Sequence, residues 1–165
     1  MCGTEYHLLF NGYAMFAAQD MFENRQLGEI VQDNTAEGFI NLCRVFCLLA
    51  EQGELARRYE GYDRGETPDE ERLRAAVMPY DVIAMRQSVL EALMRGYKRD
   101  VPEEETDLGL AELQKKNRKA VKADYLRIGA VNGLGVKETL LLPVGVVFDL
   151  LESYARAHRP PKQDI

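Results

Sequence analysis

Apolar residues along this chain recur mostly at steps of three and four, the spacing of one helix face, and only briefly at steps of two. The pattern predicts a mainly α fold. "TEYHLLF" (4–10) reads as a short β-like stretch, a hairpin edge, or the first turn of a helix, closed by Asn11-Gly12 as a turn dipeptide. "YAMFAAQDMFENR" (13–25) carries a helical face, and "LGEIVQ" (27–32) a short helix or turn. The strongest helix of the first half starts at Thr35 as N-cap and runs through Phe39, Leu42, Cys43, Phe46, Leu49 and Ala50; Gly53 weakens its continuation toward Tyr62. Thr67 and Pro68 open a short helix with Asp69, Glu70 and Glu71 at its positive end, and Pro79 ends it. Residues 79–99 form a second strong helix, with Val82, Met85, Val89, Leu93 and Met94 near one face.

The acidic, Pro-containing stretch "DVPEEETD" (100–107) is the best boundary in the chain. It divides an N-terminal helical bundle (1–100) from a small helical extension (108–158), with residues 101–107 as linker and 159–165 as a polar tail. Within the extension, 108–133 reads as a long helix stopped by Asn132-Gly133. "GVKETLLL" (135–142) reads as a short helix. The last begins at Pro143 and aligns Val144, Val147, Phe148, Leu151 and Tyr154 on one side. No internal repeat is present.

Composition narrows the function classes. The 165 residues are 46% hydrophobic and 29% charged, enough for a core without disulfides or a metal. A net charge of −6 argues against non-specific nucleic-acid or anionic-membrane binding. Cys2, Cys43 and Cys47 are an odd number without the spacing of a secreted disulfide scaffold, which fits a reducing compartment. No signal peptide is expected from "MCGTEYHLLFNG", and the apolar run around "TLLLPVGVVF" is too short for a membrane span, so a cytoplasmic protein is expected.

Candidate chemistry is sparse. Cys43 and Cys47 share a helix face, but the ligands left to complete a metal site (Cys2, His7, His158) lie near the termini, and both thiols read as small core residues among Phe39, Phe46 and Leu49. Neither histidine lies in a catalytic motif, and nothing singles out a carboxylate pair. "GAVNGLGVKET" lacks the spacing of a phosphate loop, and a helix rather than a strand precedes it. No catalytic residue, cofactor or metal is expected. Residues 125–156 have the outline of a helix-turn-helix, yet "VKETLLL" offers one Lys and "VGVVFDLLESY" offers Asp and Glu, a poor set for reading bases. The basic run with Lys115, Lys116, Arg118, Lys119 and Lys122 reads either as a solvated face or as a docking face for an acidic partner. "TLLLPVGVVFDLL" carries more Leu and Val than a unit of residues 108–156 buries on itself, which predicts an exposed apolar surface for a protein partner.

Taken together, "YHLLFNG", the Phe39-to-Leu49 helix, "MPYDVIAMRQSVLEALMRGYKRD", and "ELQKKNRKAVKADYLRIGAVNGLG" leading to "KETLLLPVGVVFDLLESY" resemble the tail assembly chaperones of long-tailed bacteriophages and prophages. The likeness covers about residues 5–156 and departs at the break before the last helix, where many members carry Gly-Glu and this chain has Pro143-Val144-Gly145-Val146. The resemblance implies a non-enzymatic cytoplasmic protein that binds the tape measure protein, recruits tail tube subunits and leaves before the particle is finished. Joined to the apolar and basic patterns above, this reading has the N-terminal bundle coat the tape measure protein and places partner contacts at Leu140, Leu141, Val147, Phe148, Leu151 and Tyr154 of the extension, where tube subunits are engaged, and at Lys115, Lys116 and Lys119; a homo-oligomer is a further candidate partner. The alternatives are a DNA-binding regulator and a structural connector that stays in the particle.

Overall fold

The computed structural model describes residues 4–23, 25–100 and 122–158. The chain is mainly helical, and no β-strand occurs among the described residues. Five helices make up the first hundred residues: α1 (Gly12–Met21), α2 (Leu27–Gln32), α3 (Ala36–Tyr59), α4 (Glu70–Ala76) and α5 (Pro79–Tyr97). Three follow: α6 (Lys122–Val131), α7 (Val136–Leu141) and α8 (Val144–Ala157).

Residues 4–10 are neither strand nor helix. They lie extended between α3 and α5, with Tyr6 packed edge-on against Phe46 and Phe10 tilted against Tyr97 at 4.8 Å between ring centroids. The Leu9 N–H donates to the Leu49 carbonyl, so this segment takes a backbone partner from the interior of α3 and not from another strand. Asn11-Gly12 is not a turn. The buried Asn11 side chain accepts a bond from the Ala14 N–H at 3.0 Å and caps α1, while its backbone forms an isolated antiparallel bridge with Pro143.

Thr35 caps α3 as the sequence indicates, accepting from the Gly38 N–H at 3.0 Å. α3 then passes through Gly53 unbroken. A Cβ there would overlap the His7 carbonyl oxygen, so the residue that weakens the helix locally is what lets the N-terminal segment lie against it. The cap of α4 is Asp69, whose carboxylate accepts from the Arg72 N–H at 2.9 Å, and not Thr67; an acid two residues later competes better for the same role. α4 ends at Ala76, and Pro79 is the first residue of α5, where its missing N–H costs nothing. α6 stops at Asn132-Gly133 as expected: Gly133 is left-handed (φ 80°), and the Leu134 N–H donates back to Gly129 at 2.9 Å.

One hydrophobic cluster takes side chains from each of these helices among the described residues, with Phe16, Ile30, Leu42, Leu73, Val89, Tyr125, Leu140 and Val147 in it. Among the described residues, the helices of 4–100 and those of 122–158 thus share one core. α8 approaches α5 closely at Gly145, where a Cβ would strike the Lys98 carbonyl. Tyr125 of α6 inserts beside Phe16 and Phe148, edge-on to both, and its buried hydroxyl has no partner among the described residues. A hydroxyl desolvated without a partner opposes folding by roughly 1–3 kcal/mol. Tyr125→Phe keeps the ring and removes that burden, so urea denaturation is expected to show a variant about 1 kcal/mol more stable.

Candidate functional site

The polar clusters of the structure fasten elements together. At the end of α5, Arg99 donates to Asp149 at 2.9 Å and to Glu152 at 2.5 Å, Arg156 donates to Glu152 at 2.6 Å, and the Asp100 N–H donates to Asp149 at 2.8 Å. This network clamps α8 onto α5. Hydrogen bonding from Arg156, then from Arg99, holds the Glu152 carboxyl below its ordinary 4.5. A carboxylate depressed in the folded state stabilises the fold above its unfolded pKa and loses that contribution as pH falls through the folded value. Thermal unfolding between pH 7 and pH 3 is therefore expected to fall less steeply for Glu152→Gln than for the parent chain, with the two curves converging at the acid end.

Glu54, buried on α3, plays a similar part. It accepts from the Gly65 N–H at 2.6 Å and from Arg58 at 3.1 Å, and the Gly65 bond leads in lowering its pKa. It anchors the loop between α3 and α4. Cys43 and Cys47 are core thiols, as the sequence indicates: burial pushes them up to about 11 and about 12. His158 stacks on Tyr154 at the end of α8, with its Nδ1 2.8 Å from the Tyr154 carbonyl oxygen. Among the described residues no three His, Cys, Asp or Glu side chains are placed to hold a metal ion, and no helix is long and apolar enough to cross a membrane.

The expected partner-binding face is largely covered by the chain itself. Leu140 is 3% exposed and Val147 fully buried; Leu141 is buried with them, and Phe148 packs partly buried against Tyr125. Their apolar surface meets α1 and α5, across the boundary that the sequence predicts at 100–107. Only Leu151 and Tyr154, one and two turns further along α8, are exposed. Lys115, Lys116 and Lys119 lie outside the described residues. α7 buries Thr139, Leu140 and Leu141, so the short helix of the helix-turn-helix outline faces the core instead of presenting a reading face.

Surface openings also occur among the described residues. One is an open groove of about 570 Å³ between α3 and α4, with Ala36, Phe39, Ile40 and Ala75 as its apolar floor and Glu71 and Arg74 at the rim. The other, about 430 Å³, lies between the N-terminal segment and α5 and mixes Tyr6, Leu8, Phe46 and Met85 with Glu5, Asp81 and Ser88. Large apolar side chains also stand exposed on α5, among them Met94, which the sequence reading placed with the buried face. The signal for this outward face was present in the sequence as a second apolar series on the same helix.

These features define a helical protein with an apolar groove rimmed by charge and a second opening of mixed lining. No protein-family model matches the sequence, and no curated protein or solved structure matches it either.

Proposed function

We propose that this chain is a tail assembly chaperone of the long-tailed phage or prophage type, acting in the host cytoplasm. In this reading it binds the tape measure protein, brings tail tube subunits to it, and is absent from the finished particle. The observation that carries the reading is the α3–α4 groove. It offers an apolar floor open to solvent, with an acid and a base at its edge, on an acidic helical protein. Such a groove suits the apolar side chains of an amphipathic client helix, held by contacts weak enough to be given up later. The exposed Leu151 and Tyr154 are the surface that α8 leaves for a second partner such as the tube subunit.

Ala36 and Ala75 are exposed at this groove, so Ala36→Glu with Ala75→Glu fills it with charge while leaving the core alone. Co-expression with the tape measure protein encoded nearby is expected to raise that protein's soluble fraction several-fold, and the double variant is expected to lose the gain. An unchanged soluble fraction with the parent chain overturns the proposal. Mass spectrometry of purified particles separates a chaperone, which is missing from them, from a connector, which is present.

A further inference from the structure

α5 carries two apolar faces. One is buried and holds Met85, Val89, Ala92, Leu93 and Gly96. A second series on the same helix, Tyr80, Ile83, Gln87, Leu90, Met94 and Tyr97, is separated by steps of 3, 4, 3, 4 and 3 residues; Tyr80, Ile83, Gln87 and Met94 face outward, while Leu90 leans partly on the core and Tyr97 on Phe10. That alternation is the heptad spacing at which one seam of a helix stays in contact with a second helix wound around it. Tyr80, Ile83 and Met94 are 72%, 68% and 73% exposed, a large apolar surface for a helix that already has a core.

We propose that this seam is covered by α5 of a second copy of the chain, packed parallel and in register. Two observations choose that occupant. The seam begins at the second residue of α5 and ends at its last, so its length is that of α5 itself. The one polar seam position, Gln87, lies at the third of the six places, and parallel packing sets it against the same amide of the second copy, where donor meets acceptor. Antiparallel packing sets it against Leu90, where the amide, which within its own chain reaches Glu91 at 3.5 Å, gains no polar partner across the seam. An unrelated apolar helix has no use for a central amide.

Six seam positions per helix make a small, reversible interface, below about 1,200 Å² in total. The pairing involves only this chain and stands whether or not the chaperone reading does. Sedimentation of the full chain alone is expected to give a mass that climbs from one chain toward two with concentration. Ile83→Glu with Met94→Glu is expected to hold it at one chain with an unchanged melting curve, because both side chains lie off the core. Gln87→Leu is expected to tighten pairing roughly tenfold or more, since a polar seam residue trades strength for register. In a Cys2→Ser background, Gln87→Cys is expected to cross-link to itself under mild oxidation. A chain that stays single at every concentration overturns the proposal, as does a dimer indifferent to the two glutamates. Preferential cross-linking of Ile83→Cys to Met94→Cys chains overturns the parallel register. A single chain whose Ile83→Glu, Met94→Glu variant loses client solubilisation assigns the face to the client and overturns self-pairing, and the groove variant above tests the chaperone reading separately.

Discussion

Gly53→Val is expected to destabilise the fold by roughly 3 kcal/mol or more and to free residues 4–10 from the bundle. In the middle of a 24-residue helix, valine for glycine is ordinarily neutral or favourable to the helix itself. Here the sign reverses, because the His7 carbonyl occupies the place of the Cβ. The N-terminal segment must then lift away. With it go the Leu9–Leu49 hydrogen bond, the Tyr6–Phe46 contact and the burial of Phe10 against α5. Loss of the segment also pulls on Asn11, whose cap on α1 and bridge to Pro143 sit at its end. Urea denaturation measures the first effect. Amide exchange measures the second: protection at Leu9 and Ala14 is expected to fall before protection in the middle of α3. Gly53→Ala is the gentler control, and it is expected to lose stability as well. A Gly53→Ala variant more stable than the parent, as an exposed helical glycine would give, sinks the close approach.

The residues that speak through local rules were legible in the sequence. Thr35 caps α3, Asn132-Gly133 stops α6, and Cys43 and Cys47 sit in the core, because caps and helix faces depend on neighbours three and four residues away. What failed depends on distant partners. Asn11-Gly12 has the composition of a turn, yet the segment before it is held by α3 and α5, and Asn11 is free to act as a cap. Gly53 looks like a weakness until His7, forty-six positions earlier, is found against it. The acidic stretch at 100–107 suggested two bodies, and on that premise Leu140, Leu141 and Val147 had too little surface to hide behind. The premise left out α1 and α5. The outward seam of α5 was hidden differently: one helix carries two apolar series, and a reading that seeks one face per helix stops at the first.

Val147→Asp is the sharpest test of that shared core, and it is expected to unfold the whole protein cooperatively, not to release a partner. Val147 is fully buried on α8, in the cluster that also holds Tyr125, Phe16 and Leu140. Among the described residues, the arginines of the α8 clamp, Arg99 and Arg156, are already committed to Asp149 and Glu152 and do not compensate an aspartate there. A buried charge without compensation is expected to cost about 3–5 kcal/mol, a large part of the stability of a domain this size. The carboxyl avoids part of that penalty by staying protonated, so the loss is expected to shrink as pH falls toward 5, opposite in sign to the behaviour of the Glu152 clamp. If the C-terminal helices formed a separate unit displaying Val147 to a partner, the variant would keep the parent melting curve and lose only binding. If they formed a separate but folded unit, a second transition would split from the first while α3 kept its helical signal. A single transition, shifted down as one and monitored by both circular dichroism and tyrosine fluorescence, is what a core shared by α1, α5 and α8 requires, because removing one wall of that core exposes the other two.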